Sequence, residues 1–262
     1  MGFGGSGRRP GPRFTRGQKT AMLVAAGVAL LVYLIAAHKL TRVEIIYFVV
    51  LVPSIILHEL SHGVVALAFG DDTAKRAGRL SLNPVRHVDP IGTLLVPGVL
   101  TLFGLGAYGW AKPVPVSTNR LRSPRNQTVL VSLVGPLTNF LLAAAFGVAF
   151  ALTTPLAVRQ FVHLNGFGQY TNGQYDIPSL LGQVLFIGGF ANIVLGLFNL
   201  IPCPPLDGAS VLERFIPARY LPEYYRLQPA LMFLPFLLIF TFRGAWSDLI
   251  SHVLTWWSGL LV

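Results

Sequence analysis

Cysteine is nearly absent. Cys203 is the single one among 262 residues, which excludes an intramolecular disulfide and a zinc site built on thiolates. Charge is scarce too, at 11% of residues, where a soluble domain carries about 25%. Acidic side chains are the scarcest: 10 Asp and Glu stand against 20 Lys and Arg, for a net charge of +10. That balance raises nucleic acid as a partner. The basic residues, however, form short clusters between apolar runs and lack the interleaved aromatics of a base-stacking surface. The positive-inside pattern of a membrane protein accounts for them better, and no nucleic-acid partner is expected. What replaces charge is apolar: 53% of the chain is hydrophobic, and a lipid bilayer is its expected surrounding.

Residues 1–19 hold Arg8, Arg9, Arg13, Arg16 and Lys19 among Gly, Pro and Ser, which predicts a basic, disordered cytosolic tail ahead of one integral membrane domain over 20–262. A cleaved signal peptide is not expected, because the next apolar run is long and has no small-x-small site before Lys39. Spans are predicted at 20–37, 43–69, 128–152 and 180–201, each near the ~20 residues a bilayer needs. The apolar pieces 230–242 and 245–262 are separated by Arg243 and Gly244. They form one interrupted span, or a span followed by an interfacial helix. Residues 91–108 are apolar but broken by Gly92, Pro97, Gly98, Gly104 and Gly106. If they cross, the basic clusters on either side of them face opposite compartments. If they dip in and return, both clusters join the tail and the Pro-rich connection 202–229 in the cytosol, and the loop whose only basic residue is Arg159 lies outside. The second arrangement obeys the positive-inside rule. The predicted fold is therefore an all-α polytopic membrane protein with five to six transmembrane helices and a re-entrant or short β element between the second and third.

Inside the second apolar run lies His58-Glu59-Leu60-Ser61-His62. On a helix, residues four apart share a face, so both imidazoles can bind one zinc ion with Glu59 beside them as general base. Three such side chains in a bilayer helix are costly, which favours function over accident. A catalytic zinc takes three protein ligands and an open position. Asp207, in Pro205-Leu206-Asp207-Gly208, is the best third: with 91–108 re-entrant, the helix ending near Ile201 runs toward the same side as His58 and His62. Taken alone, Asp-Gly after prolines is ordinary turn chemistry. His87 and Asp89 stay open as groups that support the ligands from behind, or as ligands in place of Asp207. For Asn139, helix–helix hydrogen bonding and a role in the site weigh equally on physical grounds.

His58 to His62 in an early membrane helix, Gly135-Pro136-Leu137-Thr138-Asn139 in a middle one and Pro205-Leu206-Asp207-Gly208 after a later one resemble the site-2 protease family of intramembrane zinc metalloproteases. The resemblance runs over about 43–212. Residues 79–93 and Trp110-Ala111-Lys112-Pro113-Val114-Pro115-Val116 are similar to its compact prokaryotic branch without a PDZ domain. The resemblance implies that His58, His62 and Asp207 hold one zinc, that Glu59 activates its water and that Asn139 lies near the scissile bond. The implied substrate is a transmembrane protein or peptide cut near the cytosolic side, and the implied location is a prokaryotic cell membrane. The alternative from another class is a non-proteolytic metal-binding membrane protein, a transporter or an inactive scaffold. Glu59 separates the two, because a transport or structural zinc site has no need of a carboxylate next to its first ligand.

Overall fold

The computed structural model describes residues 42–87, 89, 112–165, 170–171, 174–175, 177–232 and 234–262, with scattered positions between 15 and 33. Only scattered positions of the predicted first span are described, and the predicted re-entrant element 91–108 and nearly all of the basic tail lie outside the described residues. The chain divides into two compact units, residues 1–40 with 88–112 and residues 41–87 with 113–262. The second unit holds every element below.

Helix α1, Arg42–Ala68, carries the His-Glu-x-x-His motif. Its near-continuous apolar run forces a helix in lipid, where each backbone group must find its partner within the segment. It stops in a Schellman turn: Asp71 N–H donates to the Ala66 carbonyl at 2.9 Å and Gly70 N–H to Leu67 at 3.1 Å, with Gly70 at φ +107°. One turn of helix, α2 (Thr73–Arg76), comes next. Helix α3 is Pro124–Thr153, opened by a proline in its first turn, where a missing N–H costs nothing. Helix α4 (Leu156–Asn165) and a two-stranded antiparallel ribbon, β1 (Tyr170–Thr171) with β2 (Gln174–Tyr175), lead to α5, Leu180–Asn199. The Ser179 hydroxyl caps α5 by accepting from Gly182 N–H at 3.0 Å. Then come α6 (Gly208–Phe215), α7 (Leu221–Leu231), α8 (Leu234–Thr241) and α9 (Arg243–Leu260).

Three helices among the described residues are long and apolar enough to cross a membrane: Ile45–Ala68, Pro124–Thr153 and Leu180–Asn199. They match the second, third and fourth predicted spans to within a few residues. The last apolar region breaks at Phe242, as Arg243 and Gly244 predict, into α8 and α9. The connections expected to be irregular contain α4, α6 and α7 instead. These are short segments, and α7 carries one proline in its first turn and a second, Pro229, inside it.

Helices α1, α3 and α5 form the core, and small residues let them approach. A Cβ on Gly196 would meet the Phe140 ring at 2.8 Å, and one on Gly188 would meet Phe146 at the same distance. Phe150, Phe186, Ile193 and Ala143 are packed between α3 and α5 with Trp257 of α9. The indole lies against Gly147 and Gly189 and donates to the Phe186 carbonyl at 3.3 Å. The site rests on the opposite stretch of this three-helix contact.

Candidate metal centre

One helical turn separates His58 from His62, and their Nε2 atoms stand 3.1 Å apart. Asp207, in the short connection from α5 to α6, brings Oδ2 to 3.0 Å from His58 Nε2 and 3.3 Å from His62 Nε2. Gly208 sets this approach. Any Cβ there would collide with the carbonyl oxygens of Leu200 and Ile201, so α6 starts tight against the end of α5. Arg125 on α3 donates to the Ile216 carbonyl at 2.6 Å, and Arg214 on α6 donates to Asn126 on α3 at 3.0 Å, which ties α6 down.

The outer nitrogens are already committed. His58 Nδ1 lies 2.5 Å from Asn139 Oδ1, and His62 Nδ1 lies 2.6 Å from the Val131 carbonyl. Both partners are acceptors, so each Nδ1 carries its ring's proton and each Nε2 turns a lone pair inward. Two lone pairs and a carboxylate oxygen within 3.3 Å of one another repel unless a cation lies among them. Ligand bonds of ~2.0–2.1 Å in a tetrahedron give edges of about 3.3 Å, close to the separations seen. The donor set, two imidazoles and a carboxylate, suits zinc and leaves a fourth position open. Among the described residues these three form the one converging group of possible metal ligands.

Gly135 makes room for both rings. A Cβ on it would lie 2.5 Å from His62 Nε2 and 2.6 Å from His58 Cε1. One residue on, Pro136 lies inside α3 and brings no N–H to the Ser132 carbonyl four residues back.

Glu59 is half-buried, and its Oε2 accepts from Val114 N–H at 2.8 Å. Pro113 and Pro115 flank Val114 and have no N–H, so this amide is the one donor of the three. Gly63 seats the segment, since a Cβ there would stand 2.9 Å from Val114 Cγ1. Asp71, fully buried, anchors the other end: Oδ2 accepts from Ser117 N–H at 2.6 Å and Oδ1 from Thr73 N–H at 3.0 Å and the Thr73 hydroxyl. Burial alone would push its carboxyl up. The hydrogen bonds from Thr73 and Ser117, with Arg120 nearby, outweigh burial and hold it below its ordinary value.

Of the other candidates, Asn139 sits at His58, fully buried, with its amide nitrogen donating to Asn192 Oδ1 at 2.9 Å. His87 is buried away from the triad, its Nε2 at 2.7 Å from the Ser81 carbonyl. Asp89 is half-buried and belongs to the smaller unit. The sequence did not single out Asn192, Ser54, Asp71 or the Val114 amide. Of these, Asn192 carried a signal, as a side-chain amide within an apolar helix that also holds Gln183 and Asn199.

The profile described as peptidase family M50 matches residues 46–242, from the first turns of α1 past α8. The chain belongs to peptidase family M50. It is similar to YwhC of Bacillus subtilis, named a candidate zinc metalloprotease, 39% identical over 169 residues covering 64% of this chain and 68% of YwhC. Rip2 of Mycobacterium tuberculosis, named likewise, is 32% identical over 190 residues, 71% of this chain and 62% of Rip2. Zinc metalloprotease MJ0392 of Methanocaldococcus jannaschii is 23% identical over 177 residues, 67% of this chain and 35% of that protein. The chain thus spans about two thirds of the first two and a third of the last. No solved structure matches it. As an M50 peptidase with apolar helices around its motif, the protein is a zinc metalloprotease of the membrane.

Proposed function

We propose that the protein cleaves peptide bonds in membrane-embedded segments of other proteins, with His58, His62 and Asp207 as zinc ligands and Glu59 as general base. The observation that carries this is the convergence of the two Nε2 lone pairs and the Asp207 oxygen within 3.3 Å, with both Nδ1 protons already committed. Zinc held there would supply Lewis acidity, bringing a water's pKa toward ~7 and polarising the scissile carbonyl. Glu59 takes the proton from that water and returns it to the leaving amine. The Val114 amide holds the Glu59 carboxylate in one orientation, so no rotamer search precedes proton transfer. Burial of both histidines among α1, α3 and α5 excludes bulk water. A substrate helix must unwind locally, because its own hydrogen bonds shield its carbonyls.

The fine topology belongs to the same proposal: a cytosolic N-terminus, 91–108 entering and returning on one side, and cleavage near the cytosolic face. Its support is that the tied points Asp71, Ser117, Phe69 and Arg122 bring 69–72 and 117–122 together at one end of α1. Glu59→Gln in the purified chain, reconstituted with a single-span peptide, provides the test. Zinc stays at one per chain while cleavage falls about 10²–10⁴-fold. Cleavage equal to wild type would remove Glu59 as the base.

A further inference from the structure

His62 acquires its metal-binding tautomer in one step, because a backbone carbonyl can only accept. His58 has no such carbonyl. Its Nδ1 faces a side-chain amide, and an amide can turn over: with Oδ1 toward the ring the proton sits on Nδ1 and Nε2 is free, and with Nδ2 toward the ring the proton is driven to Nε2 and the ligand is lost. Asn139 therefore helps only if something fixes which way it points.

The residues that do so lie on α5 and α1. Asn139 Nδ2 donates to Asn192 Oδ1 at 2.9 Å, so turning Asn139 over would set oxygen against oxygen. Asn192 is held by two acceptors of its own, the Gly188 carbonyl at 2.8 Å and Ser54 Oγ at 2.9 Å. Ser54 spends its hydroxyl proton on the Val50 carbonyl at 2.9 Å, so its oxygen can only accept from Asn192. Every donor points the same way, and the chain ends on two backbone carbonyls that cannot reverse. Asn139 and Asn192 have no exposed surface and Ser54 has 3%, so water offers no competing partner.

We propose that Asn192, supported by Ser54, is a positioning residue that locks the Asn139 amide and thereby fixes His58 in the tautomer that presents Nε2 to the metal. The proposal rests on the metal-centre reading above. It differs from ordinary helix–helix bonding between polar residues in membranes because its effect must pass through Asn139 to one imidazole.

The test measures zinc affinity of the metal-free chain in detergent by competition with a chromophoric chelator, together with ¹⁵N shifts of its labelled histidines. Uptake of one zinc by the wild type checks the metal centre separately. In Asn192→Ala, zinc affinity falls about 10–100-fold, as when a metal-binding histidine loses the support behind its ring, and the His58 signal moves from the Nδ1–H form toward a mixture of both tautomers. In the Asn139→Ala background, adding Asn192→Ala changes zinc affinity no further, since the path is already cut. Should Asn192→Ala fail to fold, Ser54→Ala decides, with a several-fold loss expected because Gly188 still holds Asn192. Wild-type zinc affinity and an unchanged His58 spectrum in the folded variants overturn the proposal, as does a full additional loss in the double variant.

Discussion

Gly135 has no chemistry of its own, yet the two imidazoles have their relative geometry because residue 135 lacks a Cβ. Gly135→Ala is expected to push both rings out of register and weaken zinc binding by at least about tenfold, while a control such as Ala145→Gly on the exposed face of α3 leaves it unchanged. Chelator competition on the two variants checks this. At this scale the sequence showed what has a spacing. His58, Glu59 and His62 follow from helical periodicity, and Asp207 from the direction of the helix before it. It did not show what depends on contact between helices. Asn139 stood out through family resemblance as a neighbour of the scissile bond, whereas in the structure both ends of its amide are engaged by His58 and Asn192. Asn192 is one amide in an apolar run, and only the packing of α3 against α5 distinguishes it from helix glue.

At the scale of elements, the motif helix depends on its C-terminal neighbours. Asp71 joins the Schellman turn of α1 to the segment whose Val114 amide holds Glu59, so the order of that segment is coupled to the general base. Its carboxylate is favoured in the folded state, where its pKa is depressed relative to the unfolded chain. The stabilisation is therefore complete above the ordinary carboxylate pKa and is lost as pH falls through the depressed folded value. The expected melting curve of the detergent-solubilised chain shows an acid-side decline that Asp71→Asn reduces. At neutral pH that variant melts lower by roughly 2–4 °C for each kcal/mol of hydrogen bonding lost. Identical acid profiles for the two proteins would show that the anchor contributes nothing. Elements of this kind were hidden in the sequence because one aspartate near a glycine reads as turn chemistry. Helices α6 and α7 were hidden for a related reason: Pro222 in the first turn of α7 suits a helix, although it looks like a break.

Over the whole molecule, charge and packing make the same division. Lys75, Arg76 and Arg79 follow α1, Arg120, Arg122 and Arg125 precede or open α3, and Arg214, Arg219 and Arg226 lie in α6, α7 and their connection. Cross-links tie these regions into one end of the three-helix bundle: Arg120 to Asp72, Arg122 N–H to Phe69, and Arg125 to Ile216. The link between α3 and α5 at the other end has Arg159 as its one Lys or Arg. On the proposed topology, the positive-inside rule puts the first end in the cytosol, and with it the end of α1 that bears His58 and His62. Single cysteines at Asn119 and Leu156, in a chain whose own Cys203 is buried, turn this into a measurement. An impermeant maleimide added to intact cells is expected to label residue 156 and not 119, and in inverted vesicles 119 and not 156. A cysteine at Ser6 should behave like 119. Labelling of 119 and 156 from the same side would break the assignment of α3 as a full crossing. Labelling of Ser6 from the side opposite to 119 would place an odd number of crossings between the tail and α3, and the proposed return of 91–108 to its side of entry would have to be abandoned.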